Sequence, residues 1–266
     1  MNRPAAILRF VRFPLVWTAL ADSTAGAAVA MAAAGQWSFA QVVPLFMISP
    51  GLYLFGMGLN DLLDAGDDHH AGRDRPLARD ELSAGLATGI LVVLLGLVMV
   101  GAACVQAAAL KMVALTLASI AIYNGLAKRW TVTAAVFMAA CRVGNVLIGW
   151  GLVTRSWRFD LSERAPYAWA LVLSVAALTI VATVISGLEK RGGLKSVLGM
   201  TPSTAILMTL LLLPVADAVC VTIAWGGALE GLLWLTAVPL VVCTSVAVRR
   251  LRPAPANTAE PPRSDE

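Results

Sequence analysis

Residues 52–77 read LYLFGMGLNDLLDAGDDHHAGRDRPL, an apolar run that passes straight into Asn60 and Asp61 with no polar margin. A helix that crosses roughly 30 Å of hydrocarbon needs about 20 mostly apolar residues, and the window ending at this point, 41 to 62, supplies them. Outward from it the whole chain has the same character. Of its 266 residues 59% are apolar and 14% charged, with a mean hydropathy of +0.78. Soluble domains are about 45–50% apolar and about 25% charged, so one globular core cannot hide this excess. The composition points to a polytopic, all-α membrane protein.

Eight spans are expected, near residues 10–33, 41–62, 82–103, 105–127, 131–153, 166–188, 201–224 and 228–248. The first is too long for a signal-peptide core and is followed by further spans. Of the 20 basic residues, 15 fall on one side of the membrane, beginning with Arg3, Arg9 and Arg12 and ending with Arg249, Arg250, Arg252 and Arg263. A Lys/Arg excess marks the cytoplasmic face, so both termini are expected inside. The basic residues lie between spans and not on one polar, aromatic-bearing surface, which excludes nucleic acid as a partner. Residues 1–251 are expected to form a single helical domain, and 252–266, RPAPANTAEPPRSDE with Arg252 first, a disordered cytoplasmic tail. Cys104, Cys141, Cys220 and Cys243 are far apart, have no metal-ligand spacing and read as packing residues.

An ionisable group inside a bilayer costs about 2.5–3.5 kcal/mol even on lenient scales, so each one is a candidate for function. The intramembrane set is Asp22, Arg142 with Asn145, and Asp217, to which no role is assigned. Asp22 is placed to pair with Arg142 or to accept a proton, and Arg142 and Asn145, one helical turn apart, to point into the bundle. There they orient an acceptor or the metal shell, or form a structural polar pair. At the end of the second span, Asn60, Asp64 and Asp68 are four residues apart and share one helical face. Oxygen donors gathered in this way suit a hard divalent ion, above all Mg²⁺, which keeps positions for water and phosphate. Arg73 and Arg75 follow at once, and arginines clamp phosphate oxygens, so the pair of features forms a diphosphate receptor. His69 and His70 lack a third imidazole or thiolate and read as solvated neighbours.

The run Asn60 to Asp68 matches the NDxxDxxxD signature of the UbiA superfamily of intramembrane prenyltransferases, and Arg73-Asp74-Arg75-Pro76-Leu77 resembles the basic loop that follows it. Arg12-Phe13-Pro14, the helix end with Tyr123, Leu126, Lys128 and Arg129, and Arg142-x-x-Asn145-x-x-x-Gly149 extend the resemblance over residues 10 to about 195. Two features depart from the family. Its second acidic motif is reduced to Glu189 in Ile185-Ser186-Gly187-Leu188-Glu189-Lys190, a form that looks like the UbiA-like EboC subgroup. Family members also usually have nine spans where eight are counted here, so a UbiA-like bundle of 8–9 transmembrane helices is expected.

The resemblance implies transfer of a polyprenyl group from its diphosphate to an unidentified small-molecule acceptor, often aromatic, at a bacterial inner membrane. It implies that Asn60, Asp61, Asp64 and Asp68 hold Mg²⁺, with Glu189 helping to hold a second ion. Arg73, Arg75, Lys128, Arg129 and Lys190 would contact the diphosphate. Asp64, Asp68, Arg142, Asn145 and Tyr123 would serve the chemistry, and Asp22 and Ser186 would touch the acceptor or stand behind the metal ligands. Tyr123 reads equally as a packing or interfacial residue. The alternative is an isoprenoid-binding or lipid-transport protein of the same fold, with a degenerate second motif and no catalysis.

Overall fold

The computed structural model describes residues 3–35, 39–156, 165–190, 196–197, 199–227 and 237–250, and these are mostly helical, with one isolated bridge between Val197 and Met200. In chain order the helices are α1 (Arg3–Phe10), α2 (Val16–Ala34), α3 (Phe39–Val42), α4 (Leu45–Leu63), α5 (Ala65–His70), α6 (Ala84–Ala103), α7 (Ala107–Gly125), α8 (Thr131–Thr154), α9 (Ala165–Lys190), α10 (Pro202–Trp225) and α11 (Ala237–Arg250).

Small residues set the centre. Helix α2 reads VWTALADSTAGAAVAMAAA, and 78% of its span is buried, against 28% for α6 and 33% for α10. It is the axis around which α4, α8, α9 and α10 pack. Without bulky side chains in the way, backbones approach closely, which is how helices associate when lipid removes the hydrophobic drive. A Cβ on Gly149 of α8 would overlap the carbonyl oxygen of Ser23, and one on Gly26 would overlap that of Val146. Facing outward are large apolar side chains such as Val92, Val93, Val132 and Leu173, an unpaired surface of the kind that lipid covers.

The polar residues of the spans turn inward on one another. Arg142 of α8 lies 2.7 Å from Asp22 of α2 and donates to the Thr18 hydroxyl at 3.0 Å and its carbonyl at 3.3 Å. One turn on, Asn145 donates to the Ala19 carbonyl and to Ser49 of α4, and Ser49 also bonds Ala19. Asp217 of α10 is fully buried close enough to Asp22 and Arg142 to feel both charges. Three helices, α2, α4 and α8, are thus tied at one level, and α10 sets its buried acid beside them. The expected Asp22–Arg142 pairing is present, and Asp217 joins it.

Among the described residues six helices are long and apolar enough to cross a membrane, and they correspond to the first and the third to seventh expected spans. The second span forms α4, of 19 residues, which carries Pro50 inside and Asn60 and Asp61 in its last turn. The eighth contributes α11, and residues 228–236 before it and the 252–266 tail lie outside the described residues. The first span starts at Phe13, close to the expected residue 10, and a turn precedes it. Arg12 adopts a left-handed conformation with φ 50°, so α1 turns away before Pro14 opens the next helix. Of the four free cysteines only Cys220 is buried and Cys141 is intermediate; Cys104 and Cys243 are exposed, not packed as the sequence suggested.

The close α2–α8 contact is backbone against backbone, with no flexible side chain to move aside. Gly149→Val is expected to destabilise the fold by at least about 1–3 kcal/mol, the usual range for overpacking, as checked by thermal unfolding in detergent, with the exposed Gly89→Val as a neutral control.

Candidate functional site

At its end α4 stops at Leu63, Asp64 takes the cap position, and α5 resumes at Ala65. Helical spacing survives the break, since the Asp64 amide donates to the Asn60 carbonyl at 3.0 Å and the Asp68 amide to the Asp64 carbonyl at 2.8 Å. Residues 60, 64 and 67 therefore share one side, and 61 and 68 another. Asn60, Asp64 and Asp67 line a cavity of about 610 Å³, while Asp61 and Asp68 are not on its wall and are only 2% and 3% exposed. The expected stripe of 60, 64 and 68 thus divides, and Asp67 stands on the cavity where Asp68 was expected. Its place could have been found from the spacing, four residues and then three from Asn60.

The buried acids are held by the basic loop and by the N-terminus. Asp61 accepts from Arg12 at 3.0 Å and from Arg75 at 3.4 Å. Asp68 accepts from Arg73 at 2.6 Å and lies 3.9 Å from Arg75. Burial alone would lower the Arg12 guanidinium, but the Asp61 carboxylate together with the nearby Tyr53 and Tyr123 outweighs it and holds the group above its ordinary value. For Arg75 burial prevails, helped by the neighbouring Arg12 and Arg73 charges, and the group sits lower than usual despite Asp61 and Asp68. Arg12 entered the sequence reading only as a helix-entry feature. Its partner, 49 residues away, gives it a role that no local pattern shows.

Arg9, from α1, pairs with Glu81 and lies 3.6 Å from Asp74, so the loop is pinned from behind as well. Phe10, fully buried, packs with Leu77, Leu82 and Leu91 under the same loop. Together these contacts fix the backbone that carries Arg73 and Arg75. His69 and His70 are exposed, and their Nδ1 atoms lie against the Ala78 and Gly66 carbonyls.

The opposite wall comes from the end of α7 and the following 3-10 turn, Ala127–Arg129. Tyr123, Asn124, Lys128 and Arg129 all face the cavity. The turn is held by Thr133, whose hydroxyl donates to the Ala127 carbonyl at 2.7 Å. Lys128 reaches across to form an ion pair with Asp64. Asn124, missed in the sequence, is 3% exposed and its Oδ1 has no hydrogen-bond partner. From α9 the cavity receives Thr183, Ser186 and Gly187, not Glu189. The side chain of Lys190 lies outside the described residues. Arg142, Asn145 and Asp22 belong to the central polar knot and do not line this cavity.

No three His, Cys, Asp or Glu side chains among the described residues converge as a metal cage. Mg²⁺ does not demand one, because it is commonly held by one or two carboxylates with waters and substrate phosphates. The hard oxygens of Asn60, Asp64 and Asp67, with the orphaned Oδ1 of Asn124 on the far wall, fit such an ion. Basic groups on the same cavity suit an anionic partner.

The sequence model of the UbiA prenyltransferase family matches residues 19–262. Among solved structures, the chain is similar to a UbiA homolog from Archaeoglobus fulgidus bound to DMAPP and Mg²⁺, at 18% identity over 92% of this chain and 87% of that one, with a TM-score of 0.56. A UbiA homolog from the same organism bound to GPP and Mg²⁺ is 16% identical over 94% and 91%, TM-score 0.56. A structure of digeranylgeranylglyceryl phosphate synthase is 15% identical over 94% and 95%, also at 0.56. Identities this low carry the fold alone. None of the curated proteins compared with the chain matches it.

Breaking a buried ion pair by removing one partner costs about 3–5 kcal/mol. Because Arg75 also reaches Asp61, Arg12→Leu is expected to lie at the low end, about 3 kcal/mol, in detergent unfolding experiments. Arg12→Lys should recover part of it.

Proposed function

The chain belongs to the UbiA prenyltransferase family, and from that premise we propose that it is a Mg²⁺-dependent intramembrane enzyme that transfers a polyprenyl group from its diphosphate to a small-molecule acceptor. The observation that carries this reading is the division of one cavity into an oxygen wall of Asn60, Asp64 and Asp67 and a basic wall of Lys128 and Arg129, with Arg73 beside the acids. The proposed topology keeps both termini in the cytoplasm, which puts the cavity at the cytoplasmic end of an inner-membrane protein. The Ser186 to Gly193 segment supports placement near the EboC subgroup.

In the proposed reaction the allylic C–O bond breaks with its electron pair leaving on the diphosphate. Positioned cations lower that barrier because they meet charge that develops in the transition state. Arg73, Lys128 and Arg129 would donate to the diphosphate oxygens, and Asn60, Asp64 and Asp67, with Asp68 behind them, would hold the metal. A bound Mg²⁺ would add Lewis-acid stabilisation of the same oxygens. Tyr123 would present its ring to the cationic carbon. The acceptor then supplies an electron pair to that carbon and loses a proton. Each buried CH₂ of the prenyl chain contributes about 0.8 kcal/mol, so apolar surface between helices can supply most of the binding. Arg142 and Asn145 are positioning residues that hold α8 against α2, Arg142 through Asp22 and Thr18 and Asn145 through Ala19.

A second reading has an observation in its favour. Helix α9 gives the cavity Thr183, Ser186 and Gly187 but no acid, which suits a protein that binds isoprenoid diphosphate without turning it over. Release of pyrophosphate from labelled farnesyl or geranylgeranyl diphosphate separates the two. Under the enzyme reading, Asp64→Ala lowers Mg²⁺-dependent release at least about 100-fold, whereas His70→Ala leaves it unchanged. Equal losses in both variants would count against the metal assignment.

A further inference from the structure

The two walls of the cavity are joined by one ion pair. Asp64 sits at the cap between α4 and α5, and Lys128 reaches it from the turn after α7, 64 residues later in the chain. Both side chains line the cavity, and both are about a fifth exposed, 21% for Asp64 and 23% for Lys128. The remaining charges differ. Asp61 and Asp68 are buried and each has arginine partners. Asp67 is exposed and makes no ion pair with a described residue, and the same holds for Arg129. Among the described residues Asp64 and Lys128 are therefore the one acid and the one base that face the cavity and hold each other across it.

From this geometry we infer that Lys128 is a positioning residue that makes metal and diphosphate binding interdependent by exchanging partners. A cation that takes Asp64 must displace Lys128, which leaves an ammonium without a partner in a half-buried place. An anion that takes Lys128 strands the Asp64 carboxylate in the same way. When both ligands arrive, the metal pairs with Asp64 and the diphosphate with Lys128, and no charge is left alone. Removing one member of a partly buried pair is costly, whereas exchanging both partners is not. Lysine suits the exchange because its ammonium is a point charge on a flexible four-carbon stem, free of the fixed fork of arginine. The backbone need not move, since Ala127 is buried and its carbonyl is held by Thr133. The inference rests on the reading of this cavity as a metal–diphosphate site.

The test uses the full chain in nanodiscs, with Mg²⁺ alone and inorganic pyrophosphate alone as probes, followed by calorimetry. Coupling energies between sites commonly amount to about 5–150-fold in affinity. Lys128→Met should bind Mg²⁺ at least about fivefold more tightly than the wild type when no anion is present. Arg129→Met removes the same charge from an exposed position, where salt screens it, and should change the Mg²⁺ affinity less than about twofold. Reciprocally, Asp64→Asn should bind pyrophosphate at least about fivefold more tightly in EDTA, although it weakens metal binding. Lys128→Gln repeats the measurement should the methionine variant fail to fold. Wild-type protein that binds both probes, with unchanged affinities in Lys128→Met and Asp64→Asn, overturns the exchange and leaves the proposed function standing. Wild-type protein that binds neither probe overturns both.

Discussion

An ionised side chain survives inside an apolar bundle only beside a partner, and the contact between Asp22 and Arg142 meets that demand at the axis of this fold. The cost of stranding either charge among helices is several kcal/mol, far more than the net worth of any single packing contact. Around the pair, Thr18, Ala19, Ser49 and Asn145 use their hydrogen bonds to bind α2, α4 and α8 to one another. The glycines at 26 and 149 let the backbones come close enough for those bonds to form. Polar specificity and small-residue packing are two aspects of a single contact.

At the far end of α4 the same constraint has a different outcome. Asp22 is fully buried and Arg142 8% exposed, so their pairing is a fixed part of the structure. Asp64 and Lys128 keep some access to water, which weakens their mutual hold. Between these extremes lie Asp61 and Asp68, buried acids whose arginines come from the N-terminal segment and from the loop. They hold the backbone of the site in place without facing its cavity. Charge in this protein is graded by depth: locked at the axis, bracing at the cavity wall, exchangeable inside the cavity.

Local composition made the long helices legible, because apolarity over about 20 residues is a property of contiguous sequence. The Asp22–Arg142 contact was legible for a related reason: so few charges lie within the spans that each has few possible partners. The division of the acidic run was harder to see. Helical spacing admits both 60/64/68 and 60/64/67, and the choice is made by Arg73 and Arg75, which draw Asp68 away. Arg12 meeting Asp61, Asn124 facing the cavity and Ser186 standing where Glu189 was expected all depend on how separate helices are rotated against one another. That rotation is set by packing partners distant in the chain. The turn of α1 at Arg12 was hidden because a left-handed arginine leaves no mark in hydropathy.

The span of chain that the cavity draws on has a consequence for synthesis. A membrane protein is made from its N-terminus, and domains fold as their parts emerge. Arg12 is available before Asp61, and Arg73 and Arg75 follow in the loop directly after α5, so the buried acids are neutralised soon after α4 is made. Asp64 must wait for Lys128, which arrives only after α6 and α7, and the cavity has no third wall until α9 brings Ser186. An insertion intermediate ending after α6 would thus carry its bracing charges already paired and its working carboxylate still open to solvent. The order of residues along the chain builds the frame of the site before its functional contacts.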